Sequence, residues 1–136
     1  MENCPTFIQV VAAVIRDAEG RLLLQQCAAH KPHAGKWEFP GGKVENKETP
    51  RLALCREVAE ELAIVILPDM LEPAGFADQQ PLDGHPGIVL LLYTCGSWRG
   101  VPQALEGQQW GWFTVDEAIE LGLPPMDRTL LEGLSG

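Results

Sequence analysis

The chain is poor in basic residues and tyrosine, and it has no long apolar run. Its 136 residues include 10 Lys and Arg against 19 Asp and Glu, which gives a formal charge of −9, and they include a single Tyr. A surface this acidic argues against binding of long nucleic acid. A small phosphorylated ligand stays possible, because a divalent cation can reverse the local field. No apolar run approaches the roughly 20 residues that cross a membrane, so no membrane partner is expected.

Cysteine is also sparse, and the four cysteines lie far apart in the sequence. No two of them form a C-x-x-C pair, so neither a zinc site nor a redox motif is expected. Free thiols are typical of the cytoplasm, and residues 1–5 lack the basic flank of a signal peptide, so we expect a cytoplasmic location. The length indicates a single domain over residues 1–136. The cysteines are Cys4, Cys27, Cys55 and Cys95.

Strand and helix patterns alternate along the chain. This alternation predicts an α/β fold in which a mixed sheet is flanked by helices on both faces. A hairpin is expected near the N-terminus, with its turn at residues 17–20. The expected strands are Phe7–Ile15, Arg21–Cys27, Trp37–Phe39, Ile64–Leu67, a piece around Ala74–Ala77, a central strand Ile88–Cys95, and Gln109–Phe113, with interruptions at Pro68 and Pro73. Late helices are expected over Val115–Leu121, capped by Thr114, and over Met126–Leu134.

The clearest helix lies in the middle of the chain. Thr49 is a good N-cap, Pro50 suits the first helical position, and Arg51–Leu62 contains no Gly or Pro. At about 100° per residue, the apolar side chains fall on one broad arc that should pack on a sheet, with a charged arc opposite. The apolar arc comprises Leu52, Leu54, Cys55, Val58, Ala59, Leu62 and Ala63, and the charged arc comprises Arg56, Glu57, Glu60 and Glu61.

Three glutamates of the charged arc, Glu57, Glu60 and Glu61, fall within one helical turn. Like charges at this spacing repel by a few tenths of a kcal/mol per pair. Nearby arginines can offset only part of this charge. A divalent cation would relieve it, and Mg²⁺ prefers such oxygen ligands. A solvated acidic face is the alternative. The glycine-rich loop before the helix favours a ligand site, because Gly41 and Gly42 allow backbone to approach closely.

The segment from Gly42 to Ile64 resembles the signature of the Nudix hydrolases, G-x5-E-x7-R-E-U-x-E-E-x-G-U, where U is a bulky aliphatic residue. One position departs, since Ala63 stands where the family has glycine. Glycine there would let the chain leave the helix with positive φ, so we expect Ala63 to cost roughly 1 kcal/mol without removing a metal ligand. The matching positions are Gly42, Glu48, Arg56, Glu57, Val58, Glu60, Glu61 and Ile64.

The stretches 35–45, 97–100 and 106–108 resemble the MutT-like branch of that family, which sanitises nucleotide pools and so serves DNA repair. The resemblance implies a Nudix-type α/β/α sandwich with a mixed β-sheet. It also implies hydrolysis of a nucleoside triphosphate to the monophosphate and pyrophosphate with Mg²⁺, or Mn²⁺, as cofactor. The implied partner is a small-molecule nucleotide, and the chain could be a monomer or a homodimer.

The resemblance also assigns roles to single residues. Glu106, in a distant loop, would bind metal or act as the general base, and the choice between Glu106 and Glu57 as base stays open. Arg56 would orient a glutamate and pair with Glu48, which would fix the loop on the helix, and Gly42 would be structural. The metal ligands implied are the carbonyl of Gly41 with the carboxylates of Glu57, Glu60 and Glu61.

Several residues are candidates for contact with the nucleobase or the phosphates, and each also has a purely structural interpretation. Asp127 stands just before the last helix, where branch relatives differ. An ionised Asp only accepts hydrogen bonds, which suits the amino group of cytosine or the N1 and amino hydrogens of a guanine. The alternative is a simple helix cap. Phe39 and Phe76 could flank a base or pack in the core, and Lys43 could touch phosphate or be a solvated lysine.

We therefore expect 8-oxo-dGTP or a related modified nucleotide as substrate, with CTP or dCTP as the alternative. Gln26 and Cys27 stand where relatives often have arginines, so bidentate phosphate contacts would be lost there. His30 and His33 in the next loop could substitute, although a lone loop histidine is usually solvent-exposed. ADP-ribose hydrolysis is disfavoured, because no extra region precedes Phe7. A non-catalytic nucleotide-binding domain is disfavoured, because all signature glutamates are present.

Overall fold

A computed structural model describes residues 6–26 and 35–134. Within them, strands and helices alternate much as the sequence predicts. None of these helices has the length and apolar character of a membrane span. In chain order the elements are β1 Phe7–Val14, β2 Leu22–Gln26, β3 Trp37–Glu38, β4 Gly41–Lys43, α1 Pro50–Leu62, a 3₁₀ turn Pro68–Met70, β5 Leu71–Gln79, β6 Gly87–Cys95, β7 Trp110–Phe113, α2 Val115–Leu121 and α3 Pro125–Glu132.

The larger sheet is mixed and has the strand order β4-β1-β6-β5. β1 and β6 run parallel, with Val11 opposite Leu91, and the other two pairings are antiparallel. Side chains of β1 alternate between two buried clusters, one shared with α1 and the other with α3. The sheet therefore carries a helix on each face, which confirms the predicted α/β architecture, and β6 is interior as expected.

The second sheet has the order β3-β2-β7, so the predicted hairpin is only partly right. The turn forms, with a bridge between Arg16 and Leu22 and a 2.9 Å bond from Leu23 N to Ile15 O. Beyond it, β2 leaves β1 and pairs antiparallel with β3 and β7. Leu22 to Leu24 are buried on both faces, because β2 supplies side chains to both core clusters.

Pro73 does not end its strand, although the sequence predicted an interruption there. β5 continues through Pro73 at the edge of its sheet, with a register shift between Pro73 and Gly75. An edge strand tolerates proline, because one row of its N–H groups needs no strand partner. By contrast, the expected strand Ile64–Leu67 is reduced to a single bridge between Val65 and Arg99.

Helix α1 begins and ends where its caps predict. The Thr49 hydroxyl accepts a bond from Leu52 N at 3.3 Å, Pro50 opens the helix, and Ala63 closes it with φ 60°. The predicted apolar arc is wrong at its edges, since Leu52 and Ala59 are exposed and Glu61 is buried. The helix packs on both β1 and β4, so the buried arc turns toward β4.

The C-terminal region follows the prediction closely. Thr114 and Glu117 form a reciprocal capping box on α2. α3 begins at Pro125, one residue before the expected start, with Pro124 as its N-cap residue. Cys55 and Cys95 are free thiols, whereas Cys4 and Cys27 lie outside the described residues.

We expect Ala63→Gly to stabilise the protein by about 1 kcal/mol, because glycine has no penalty in the left-handed conformation that Ala63 adopts. Urea unfolding measures this. The matched control is Ala59→Gly, four residues earlier inside the helix, which should destabilise by about 1 kcal/mol. Equal effects of the two substitutions would contradict the left-handed exit.

Candidate active site

The site is built where α1 lies against β4, and this contact requires glycine at two successive positions. A Cβ placed on Gly41 would lie 1.9 Å from the carbonyl oxygen of Val11 on the neighbouring strand. A Cβ placed on Gly42 would lie 2.4 Å from the carboxylate carbon of Glu57. The bare backbone of β4 therefore lets the Glu57 carboxylate rest directly on the strand.

Arg56 gathers the acidic groups around that strand. Its guanidinium holds Glu48 through two bonds, Nε to Oε2 at 2.6 Å and Nη2 to Oε1 at 2.9 Å. Nη1 reaches Glu57 Oε1 at 2.9 Å and Glu60 Oε1 at 3.3 Å, and Nη2 donates to the carbonyl of Lys43 at 3.2 Å. The guanidinium lowers the pKa of Glu48 to about 2. Arg56 thus fixes the loop on the helix and orients Glu57.

Glu61 is buried against the strands, whereas the sequence predicted it on a charged arc facing away from the sheet. It is 3 % exposed, and its Oε1 accepts bonds from Gln25 Nε2 at 2.9 Å and from Gly41 N at 3.3 Å. The expected charged arc is therefore split. Glu60 lies toward solvent, with 53 % of its side chain exposed, while Glu57 and Glu61 lie along β4.

The donors along β4 fit a hard divalent cation. Glu57, Glu61 and the backbone of Gly41 offer oxygen ligands, which Mg²⁺ prefers. No three His, Cys, Asp or Glu side chains of residues 6–26 and 35–134 are grouped so that they could hold one ion by themselves. A metal centre here would therefore combine carboxylates with a backbone carbonyl. Glu60, the third carboxylate of the predicted cluster, accepts a bond from Arg56 and lies farther toward solvent than Glu57 and Glu61.

Glu106 lies in an exposed turn of the loop between β6 and β7. This loop docks on the C-terminal end of α1 through backbone bonds, from Leu105 N to Glu61 O at 3.1 Å and from Gln103 N to Leu62 O at 2.9 Å. The fold thus ties the distant loop to the helix that carries the signature glutamates, as the sequence could indicate only through resemblance.

Asp127 is not a helix cap, since it lies in the first turn of α3, after the N-cap residue Pro124. It is 8 % exposed, and its Oδ2 accepts a bond from Phe39 N at 3.2 Å. Burial raises the pKa of this carboxyl to about 6. Phe39 is a core residue at 3 % exposure, whereas Phe76 is 66 % exposed on β5.

The remaining candidates are spread around the site. Lys43 is exposed. The Gln26 side chain donates to the carbonyl of Gly35 at 2.9 Å. His30 and His33 lie outside the described residues, as does Cys27.

Sequence reasoning missed two buried glutamines, Gln25 and Gln108. They are 3 % and 9 % exposed, and both bond to Glu61. The only local signal for Gln25 was a polar residue directly after three leucines of a strand. Gln108 lies in the stretch 106–108 that resembles the MutT-like branch, but a loop was expected there and no role was assigned to its side chain.

A family model for the NUDIX domain matches residues 6–134. This mixed-sheet chain, with its acidic helix against a glycine strand, therefore belongs to the Nudix hydrolases. It is 39 % identical over 125 residues to the CTP pyrophosphohydrolase of Escherichia coli strain K12, covering 92 % of this chain and 89 % of the relative. It is 36 % identical over 129 residues to the 8-oxo-dGTP diphosphatase of Haemophilus influenzae, covering 93 % and 90 % respectively.

Solved structures agree with this assignment. The crystal structure of the MutT NUDIX hydrolase from Burkholderia pseudomallei superposes with a TM-score of 0.84 at 28 % identity, covering 96 % of this chain and 99 % of that one. The Nudix-type sandwich expected from the sequence is thereby confirmed. As a member of this hydrolase family, the chain is an enzyme that acts on small nucleotides with a divalent metal ion.

We expect Glu48→Gln to destabilise the protein at pH 7 and to lose its effect as the pH falls from about 4.5 toward 2. The folded-state pKa of Glu48 is depressed, so its stabilising contribution is present above its ordinary value of 4.5 and is lost as the pH falls toward about 2. Thermal unfolding at pH 7 and pH 3 measures the difference from native. Glu120→Gln, on the exposed side of α2, is the control. An equal loss of Tm in Glu48→Gln at both pH values would contradict the ion pair between Glu48 and Arg56.

Proposed function

We propose that the chain is a Mg²⁺-dependent nucleoside triphosphate pyrophosphohydrolase that releases the nucleoside monophosphate and pyrophosphate. The observation that carries this proposal is the contact of Glu57 with the glycine strand, beside the buried Glu61. It places carboxylate oxygens next to a backbone able to approach a phosphate closely. Mn²⁺ would fit the same oxygen donors.

Glu57, Glu61 and the carbonyl of Gly41 would hold the ion, with Glu60 as a further ligand. A divalent ion bound there neutralises phosphate charge and lowers the pKa of a bound water. A carboxylate of this chain would take the proton from the attacking water. Glu57 and Glu106 are the two candidates for that base, and Glu106 could instead add a ligand from its loop.

Arg56 has a positioning role in this scheme. Its bidentate grip on Glu48 fixes the loop after β4, and its third nitrogen holds one oxygen of Glu57. Lys43 is exposed at the end of β4, where its ammonium group could contact a phosphate of the substrate. The proposal therefore assigns phosphate binding to β4 and the loop that follows it.

The substrate proposed first is 8-oxo-dGTP or a related modified nucleotide, the named substrate of several relatives. CTP or dCTP is the second candidate, supported by the similarity to the CTP pyrophosphohydrolase. Asp127 suits both, because an ionised carboxylate accepts from amino hydrogens of guanine or cytosine. A groove between β5 and α3 is lined by Phe76 and by Met126, the residue before Asp127, and these side chains would offer apolar contact to a base.

A cellular role follows from this substrate class. Removal of modified nucleotides from the pool would protect DNA from their incorporation, which is a repair function. The free thiols of Cys55 and Cys95 suit a reducing compartment, which supports a cytoplasmic location.

We expect Glu57→Gln to lower kcat by about 10²–10⁴-fold, because the change removes a charged ligand or the general base. Pyrophosphate release from a panel of nucleoside triphosphates with Mg²⁺ measures this. Glu120→Gln is the control for loss of an exposed carboxylate. Activity that survives the Glu57 change would reject the proposed site, and absence of turnover in the native protein would favour a nucleotide-binding domain.

We expect Asp127→Asn to lower kcat/KM by about 10–100-fold for the best native substrate, since the amide presents donors where the carboxylate only accepts. CTP, dCTP and 8-oxo-dGTP at sub-saturating concentration, at a pH well above 6, form the test panel. Asp116→Asn on α2 is the matched control. The base-contact role fails if native and variant proteins give the same values across the panel.

A further inference from the structure

Two buried glutamines form a chain of hydrogen bonds between the loop of Glu106 and helix α1. Glu106 N donates to Gln108 Oε1 at 3.0 Å, and Gln108 Nε2 donates to Gln25 Oε1 at 3.0 Å. Gln25 Nε2 then donates to Glu61 Oε1 at 2.9 Å. Gln108 Nε2 also donates to the carbonyl of Glu61 at 2.9 Å. This series of hydrogen bonds therefore reaches both the backbone carbonyl and the carboxylate of Glu61.

The chemistry of the two ends fixes the direction of this chain. An ionised carboxylate only accepts hydrogen bonds, so Gln25 must turn its NH₂ group toward Glu61. The side-chain oxygen of Gln25 then faces Gln108, so Gln108 must donate to it through its NH₂ group. The single side-chain oxygen of Gln108 is then free to accept a bond from the N–H of Glu106, as observed. Each amide therefore has one orientation that satisfies both of its partners, since the Glu61 carbonyl can only accept and the Glu106 N–H can only donate.

The same loop completes the end of the helix. The last carbonyls of a helix have no partner within it. Here the carbonyl of Glu61 accepts from Leu105 N and from Gln108 Nε2, and the carbonyl of Leu62 accepts from Gln103 N. Gln108 is the member of this loop whose side chain reaches both the helix and β2. Loop and helix therefore hold one another through Gln108.

We propose that Gln25 and Gln108 are positioning residues that set the Glu61 carboxylate and tie the Glu106 loop to it. The inference rests on the proposed function, because it assigns both glutamates to the metal-dependent reaction. Neither glutamine contacts the reacting atoms. Their effect reaches the site through Glu61 and through the backbone of Glu106.

A purely structural role would predict something different. A single apolar replacement leaves the buried partners of the amide unpaired and costs stability, so a purely structural role predicts a lower free energy of unfolding with metal affinity unchanged. The positioning role instead predicts weaker metal binding and slower turnover in a folded protein. Partners that orient a metal ligand typically change metal affinity or activity by about 10–100-fold.

The test uses Gln25→Met and Gln108→Met, which keep side-chain length and lose the amide. Gln109→Met, at the exposed neighbouring position, is the matched control. We expect each buried variant to bind Mn²⁺ alone about 10–100-fold more weakly in the absence of nucleotide. We also expect kcat to fall by a similar factor, with KM for the nucleotide changed less than about twofold. Hydrogen exchange at the Glu106 amide should accelerate at least tenfold in Gln108→Met.

A conservative variant separates the two ends of the chain. Gln108→Glu keeps an oxygen for the Glu106 amide but loses both donors toward Gln25 and Glu61. It should retain slow exchange at Glu106 and still lose Mn²⁺ affinity. The double variant Gln25→Met with Gln108→Met should lose little more than either single variant, since the residues act as one unit. Should the Met variants fail to fold, Gln25→Asn and Gln108→Asn, which keep an amide but shorten its reach, carry the same comparison.

The outcomes distinguish this inference from the proposed function. Mn²⁺ affinity and kcat within twofold of native in both Met variants, while Glu57→Gln is inactive, would overturn the positioning role alone. Full activity of Glu57→Gln would instead overturn the metal site on which it rests. Additive losses in the double variant would also count against the inference, since independent effects do not require a connected chain.

Discussion

The approach of helix α1 to the bare backbone of β4 is the contact on which the site depends. Gly41 and Gly42 have no side chains, so β4 can pair with β1 on one side and receive Glu57 on the other. Any Cβ at either position would force apart the strand and its neighbour or the strand and the helix. Because protein interiors transmit such strain rather than absorbing it, the helix would move with all its carboxylates. The glycines are therefore structural before they are functional.

Charge balance is the second consequence of this packing. Bringing helix carboxylates to one strand costs repulsion, which the single guanidinium of Arg56 offsets through Glu48, Glu57 and Glu60. One positive charge against these three leaves the region negative. Glu61, on the buried side, adds a further carboxylate. A phosphate would be repelled by this field without a cation, so metal binding and substrate binding are linked by electrostatics.

The sequence predicted the ends of α1, which neighbouring residues determine. It did not predict which polar side chains are buried, because that depends on segments far away in the sequence. Caps at Thr49 and the left-handed exit at Ala63 follow from neighbouring residues, and both are found as expected. The burial of Glu61 depends on Gln25, 36 positions away, and that of Gln108 depends on a residue 83 positions away. Periodicity on α1 alone placed Glu61 with the exposed charges. Helical spacing gives a direction around the axis, but the strands packed against it decide which directions are buried.

The two carboxylates of α1 that lie along β4 are satisfied by different means. Arg56 satisfies Glu57 with a charge-assisted bond and cancels part of its negative charge. Gln25 satisfies Glu61 with a neutral amide, which supplies a hydrogen bond and leaves the net charge unchanged. An arginine or lysine at position 25 would stabilise the buried carboxylate more strongly, yet it would also compete with a cation for the same oxygens. A neutral donor orients the carboxylate without placing a second cation beside it.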